Sequence, residues 1–335
     1  MKDLFASITG YFRDLWSAWD RFWFSPTDPS TLCLIRVLVG AMLFYTHLIW
    51  SWDLAAFFGS NGWLPQEVID ASHDMRFISP ENPRWLFSYF DYLGDGWLLW
   101  LVHCLNLIVF FCLMIGLFSR TMAVIAYVSA VSYATHVTPG AFFGLDKINC
   151  LLVMYVMLGP CGARYSIDRL WKLRKGGSRE TPPSISANVA LRLIQLHMCV
   201  IYLFSGLGKL QGELWWNGSA TWFAIASVEY RSLDMTWLAW CLPLVDFLTH
   251  ATVFIELFYC CLVWNRWTRP WVLLSAIGMH VFIGGAMGMI TFGLVMIFGN
   301  LAFFSPAIVQ RFCDPIARRV TLALVGQEAP AAAKS

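Results

Sequence analysis

The sequence is poor in charge. Only 13% of its 335 residues are Asp, Glu, Lys or Arg, against 58% hydrophobic, and its mean hydropathy is +0.60. That balance excludes an ordinary water-soluble domain, in which about a quarter of the residues are charged. A formal net charge of +2, with no Lys and Arg run interleaved with aromatics, excludes a nucleic-acid partner. The ten cysteines form no CxxC pair and show no metal-ligand spacing, so neither a disulfide framework nor a metal site is expected. Most of them, such as Cys104, Cys150, Cys199 and Cys260, fall inside apolar stretches and read as small hydrophobes packed between helices. The N-terminus also lacks the basic n-region and small-residue cleavage site of a signal peptide.

Long apolar stretches are what the sequence does have. A spanning helix needs about 20 mostly apolar residues, because the hydrocarbon layer is about 30 Å thick and each residue rises about 1.5 Å. Stretches of this kind run over 31–50, 97–118, 121–137, 143–161, 189–209, 238–264, 271–288 and 289–304. They predict an all-α fold: a polytopic transmembrane helix bundle of about eight spans forming one membrane domain, 31–305. Residues 1–30 precede it, with Phe5, Ile8, Phe12, Leu15, Trp19 and Phe22 on one side and Lys2, Arg13, Asp14 and Asp20 on the other. This spacing predicts an amphipathic helix lying in the membrane interface.

Basic residues set the expected orientation, since cytoplasmic loops accumulate Lys and Arg. Arg164, Arg169, Lys172, Arg174, Lys175 and Arg179 crowd the loop 162–188, which makes that loop cytoplasmic. Counting outward from it, Arg120, Arg266, Arg269 and both termini fall on the same side, in an integral membrane protein that a bacterium would carry in its inner membrane. The segments 51–96 and 210–237 then face outward, the first carrying Phe57-Phe58-Gly59 and Asn61-Gly62-Trp63-Leu64-Pro65. Residues 306–335 are expected as a cytoplasmic tail, Ala-rich and disordered after Gln327.

Polar groups at membrane depth are costly, so each needs a partner or a role. Arg36 and Arg192 stand near cytoplasmic ends of spans, where snorkelling or an interhelical salt bridge is the expected use. His47, His103, His197 and His250 read as isolated, hydrogen-bonded core residues. Lys209 differs, because it ends the fifth span after Ser205, Gly206 and Gly208, small residues that admit a second helix or a flat ligand, and it precedes Trp215 and Trp216. A neutral amine held there is a usable general base, and the plainer alternative is snorkelling to the outer headgroups. Glu256 and His280 fall on neighbouring later spans and are expected to pair with each other or with Lys209, since one shared cluster costs less than separate buried charges.

Ser205-Gly206-Leu207-Gly208-Lys209-Leu210, Trp216-Asn217-Gly218, Phe254-Ile255-Glu256-Leu257-Phe258, Arg266-Trp267-Thr268-Arg269-Pro270 and Gly278-Met279-His280 carry a resemblance. With Tyr165-Ser166-Ile167-Asp168, they resemble the horizontally transferred transmembrane (HTTM) family, related to the membrane domain of vitamin K-dependent gamma-carboxylase. The resemblance implies a Lys, matched by Lys209, that deprotonates a reduced quinone such as vitamin K hydroquinone, with oxygen adding next. It also implies roles for the positions matching His280 and Glu256. A functional His of the carboxylase has no counterpart in Gly144-Leu145-Asp146-Lys147-Ile148. The carboxylase's lumenal substrate domain also has none, which a separate soluble partner chain would supply.

Three functions follow as expectations. The first is a quinone-like lipid site using Lys209, Glu256 and His280, with a carboxylase-like lyase or quinone-dependent oxidoreductase step. The second is a non-catalytic protein that binds membrane lipids or assists assembly. The third, a transporter, lacks support from matching inverted halves.

Overall fold

A computed structural model describes residues 2–60, 62–63, 68, 88–136, 144–229 and 232–325, with the backbone alone for 2–9 and 325. The side chains of Lys2, Phe5 and Ile8, most of the outer segment 51–96 including Asn61, Leu64 and Pro65, the boundary between the expected spans at 137–143, and the tail end 326–335 lie outside the described residues.

Apart from a single bridge between Thr27 and Ser184, every regular element among the described residues is helical. The main helices are α1 (Lys2–Phe24), α2 (Ser30–Trp50), α3 (Trp97–Ile115), α4 (Ser119–His136), α5 (Gly144–Val156), α6 (Ile167–Arg174), α7 (Ile185–Lys209), α8 (Leu242–Leu262), α9 (Arg269–Ala286), α10 (Ile290–Asn300) and α11 (Pro306–Val325). Among the described residues, four segments are long and apolar enough to cross a membrane: Ser30–Phe58, Trp97–Ile115, Ile185–Lys209 and Leu242–Leu262. A bent pair, Ile290–Phe303 with Pro306–Leu324 at 116°, raises the number to five at most.

This corrects the expectation of about eight spans. Helix α5 has 13 residues and α10 has 11, which at about 1.5 Å per residue reach roughly 20 and 16 Å, short of a hydrocarbon layer of about 30 Å. Helix α4, 18 residues long, carries Ser129, Ser132, Tyr133, Thr135 and His136, and α9, also of 18, opens on Arg269 and carries His280. These shorter or more polar helices pack among the long ones: α5 touches α2, α4, α7 and α10, and α10 touches α9, α2 and α7.

The basic ends gather at one pole of the bundle. Arg164 bridges Asp28 at 3.1 Å and Asp314 at 3.6 Å, Tyr165 donates to Asp314 at 2.8 Å, and Gln310 donates to Ser30 at 3.0 Å. Asp168 caps the start of α4, accepting from the backbone N–H groups of Phe118 and Ser119 at 2.8 and 2.7 Å. Asn188 fastens the end of α1 by donating to the carbonyls of Phe22 and Trp23, both at 2.8 Å. Before that clip, Tyr11, Phe12, Leu15, Trp16 and Trp19 of α1 are exposed. The stretch after Phe304 is largely helix α11, which packs on α2 and α6 while Ile308, Phe312, Ile316, Val320 and Leu324 stay exposed.

Arg36 neither snorkels nor forms a salt bridge. It is fully buried and donates to the carbonyls of Leu113 (2.5 Å), Met114 (3.0 Å), Cys161 (3.0 Å) and Tyr165 (2.5 Å). Two of these belong to the last turn of α3, whose carbonyls have no partner within the helix and attract a cation. Gly116 makes room for it: its backbone is left-handed at φ 72°, and a Cβ there would lie 2.7 Å from Arg36 Nη1.

Candidate functional site

Tyr202, Ser205, Gly206 and Lys209 fall at i, i+3, i+4 and i+7 and so share one face of α7. That face packs on α8, and Gly206 sets how closely: a Cβ there would stand 3.0 Å from the backbone nitrogen of Leu257. The contact brings Glu256 to Lys209. Lys209 Nζ donates to Glu256 Oε2 at 2.7 Å and to Ser205 Oγ at 2.7 Å, with the Lys side chain 21% exposed and the Glu 7%. Trp215, in the short turn Glu213–Trp216 beyond α7, holds its ring 5.2 Å from Nζ, a cation–π contact.

The other small and aromatic residues of this stretch behave differently. A Cβ on Gly208 would meet nothing within 4 Å, so Gly208 borders open space on α7. Trp216 is exposed, and its Nε1 donates to the carbonyl of Leu210 at 2.7 Å, which folds the segment after α7 back onto the end of that helix.

His280 does not bond to Glu256 or Lys209. Its Nε2 lies 3.0 Å from the Tyr202 hydroxyl, deeper along α7. Asn300 Nδ2 donates to that same hydroxyl at 2.9 Å, and Asn300 Oδ1 accepts from the Tyr259 hydroxyl at 2.6 Å. The Tyr202 and Tyr259 rings stack with centroids 4.1 Å apart. The Tyr202 hydroxyl therefore joins His280 to Asn300 and, through Asn300, to Tyr259. His280 Nδ1 has no hydrogen-bond partner among the described residues.

Sequence reasoning missed Tyr202, Tyr259 and Asn300, because uncharged side chains were not weighed as costly. A signal was present: Tyr202 stands seven residues before Lys209 and Tyr259 three after Glu256, so each shares a helix face with a charged partner. Of the other expected residues, Arg192 stacks over Phe22 with its guanidinium 4.4 Å from the ring centroid and donates to Gln195 at 2.9 Å. His197 pairs with the Tyr155 hydroxyl at 2.8 Å. His250 is exposed and lies 3.1 Å from Asp246. No cluster of three His, Cys, Asp or Glu side chains suited to a metal occurs among the described residues.

A cavity of about 320 Å³ lies at the opposite pole, lined by Pro160, Asp168, Arg169, Lys172, Glu180 and Ser184 among others. Ser184 caps the start of α7, whose 25 residues put Lys209 roughly 37 Å away. The cavity and the Lys209 pair are therefore separate places. In comparisons with known proteins, the chain matches no family model, no curated protein and no solved structure.

Proposed function

We propose that the chain is a multi-pass membrane protein of the HTTM type, with both termini in the cytoplasm, that binds a quinone-like lipid at the Lys209–Glu256 pair and uses Lys209 as a general base. The observation that carries this reading is the 2.7 Å contact between Lys209 and Glu256, made by the two apolar helices α7 and α8. An ionisable pair at membrane depth marks a functional site by default. The open space at Gly208 and the indole of Trp215 give a flat head group a way in and a ring to stack on.

The pair also suits the chemistry. Moving one proton from Lys209 to Glu256 converts an ammonium and a carboxylate into an amine and a carboxylic acid with no change in net charge. In that form Lys209 takes a phenolic proton from a hydroquinone, leaving a phenolate beside the new ammonium. Ser205, within hydrogen-bond distance of Nζ, holds the amine in place during the exchange.

A second reading, a lipid-binding or assembly protein without catalysis, is favoured by the same geometry, since Glu256 and Ser205 already occupy Lys209. Mass spectrometry of lipids copurifying with wild type and with Lys209→Ala separates the cases. A quinone retained by wild type and lost from the variant supports the site, and oxygen consumption with the reduced quinone supports catalysis. Identical, unselective lipid in both overturns the Lys209 site.

A further inference from the structure

A second polar region lies across the bundle, between α2, α4 and α5. It contains a cavity of about 10 Å³, the size of one water-sized sphere, lined by Leu43, His47, Trp50, Tyr133, Asp146 and Asn149 among others. His47 Nδ1 lies 2.7 Å from the carbonyl oxygen of Leu43. A carbonyl only accepts, so Nδ1 carries the proton and the neutral ring offers a lone pair at Nε2.

That lone pair has no partner among the described residues, and neither has Asn149 Oδ1. The two residues are 3% and 2% exposed. The nearby Tyr133 hydroxyl cannot serve both, because it is already engaged with His103 Nδ1 at 2.7 Å. Asp146 adds a carboxylate to the lining rather than a donor. Two buried acceptors on residues that line one small cavity call for a ligand that donates twice and fills about one water's volume.

We infer that this cavity binds a single water molecule, which donates one O–H to His47 Nε2 and the other to Asn149 Oδ1. The bound water makes His47 a hydrated polar centre one turn from the end of α2, distinct from the Lys209 pair and built from other helices. It also gives the buried ring nitrogen a proton-exchange partner.

The test uses the full-length protein in lipid nanodiscs and compares thermal midpoints of Asn149→Leu, His47→Phe and the double variant. With water in place, each single change strands the other acceptor and lowers the midpoint, and the double variant regains part of the loss because no acceptor is left bare. A dry cavity gives the opposite result: each single change removes an unsatisfied acceptor, the midpoint holds or rises, and the effects add. A measurement on folded wild type guards against variants that fail for packing reasons. Solid-state NMR of the ¹⁵N-His protein, with the His47 signal assigned from His47→Phe, should show polarisation passing from water to Nε2. Its absence from wild type overturns the inference whatever the variants do.

Discussion

Lys209 and Glu256 are 47 positions apart in the chain and 2.7 Å apart in space. Removing one charge leaves the other, largely buried, without its partner, which destabilises more than removing both. Glu256→Gln is therefore expected to cost about 1–3 kcal/mol, below the figure for a fully buried pair because Lys209 keeps some exposure. The double variant Lys209→Met with Glu256→Gln should recover part of that loss in detergent melting curves. Strictly additive midpoints would show that the two side chains do not interact.

Asn300 ties two tyrosines together, donating to Tyr202 and accepting from Tyr259. Tyr259→Phe removes one hydrogen bond and is expected to cost about 1 kcal/mol. Asn300→Leu strands the Tyr259 hydroxyl and takes one of two partners from Tyr202, and the site should lose about twice that or more. If Asn300→Leu melts no lower than Tyr259→Phe, the bridge contributes nothing.

Arg36 donates to four carbonyls, those of Leu113, Met114, Cys161 and Tyr165. Arg36→Met should cost roughly 3 kcal/mol or more, and Arg36→Lys should not rescue it, because a single ammonium cannot reproduce the planar fork. Monodisperse protein recovered by size-exclusion chromatography is the readout. Wild-type yield from Arg36→Lys would contradict the geometry.

Burial, and next the neighbouring Asp314, push the Tyr165 phenol above its ordinary value. The unfolded phenol ionises near pH 10 and the folded one only above that. The unfolded chain thus loses its proton first, and stability present below about pH 10 is lost as pH rises further. Melting midpoints between about pH 9 and 11 should fall more steeply for wild type than for Tyr165→Phe. Parallel curves would assign the alkaline loss to other groups.

Orientation has its own test. A protease site inserted after Lys175, in the exposed linker beyond α6, is expected to be cut in inside-out vesicles and spared in right-side-out ones. A site inserted after Gln211 should show the reverse. Cleavage of both from one side would overturn the up-and-down path assigned to α7.

Much of the helical layout was legible from apolar runs alone: 31–50, 97–118 and 189–209 each overlap a helix nearly end to end. The span count was not, because run length overstates helix length where a breaker intervenes. Leu158-Gly159-Pro160 ends the run that began near Phe143, and the helix stops at Val156. The pairing of Lys209 with Glu256 was open to sequence reasoning only as one of several choices. Which of Glu256 and His280 reaches Lys209 depends on the rotation of α8 and α9, and the close contact of Gly206 with Leu257 turns Glu256 of α8 toward Lys209. His280 meets Tyr202 instead, whose hydroxyl also accepts from Asn300 of α10, a residue that apolar run length does not single out.

The Arg36 contacts also bear on the order of insertion. Its farthest acceptor, Tyr165, lies 129 residues later in the chain. At a synthesis rate of about 5–20 residues per second, the guanidinium waits roughly 6–26 s before that carbonyl exists. During the wait α2 must hold a full charge without its final partners, at the headgroups or inside the insertion machinery. The closing of this latch therefore marks the moment when α2, α3 and the loop after α5 become one body, and a stalled nascent chain shorter than about 165 residues should still have α2 free to leave the membrane.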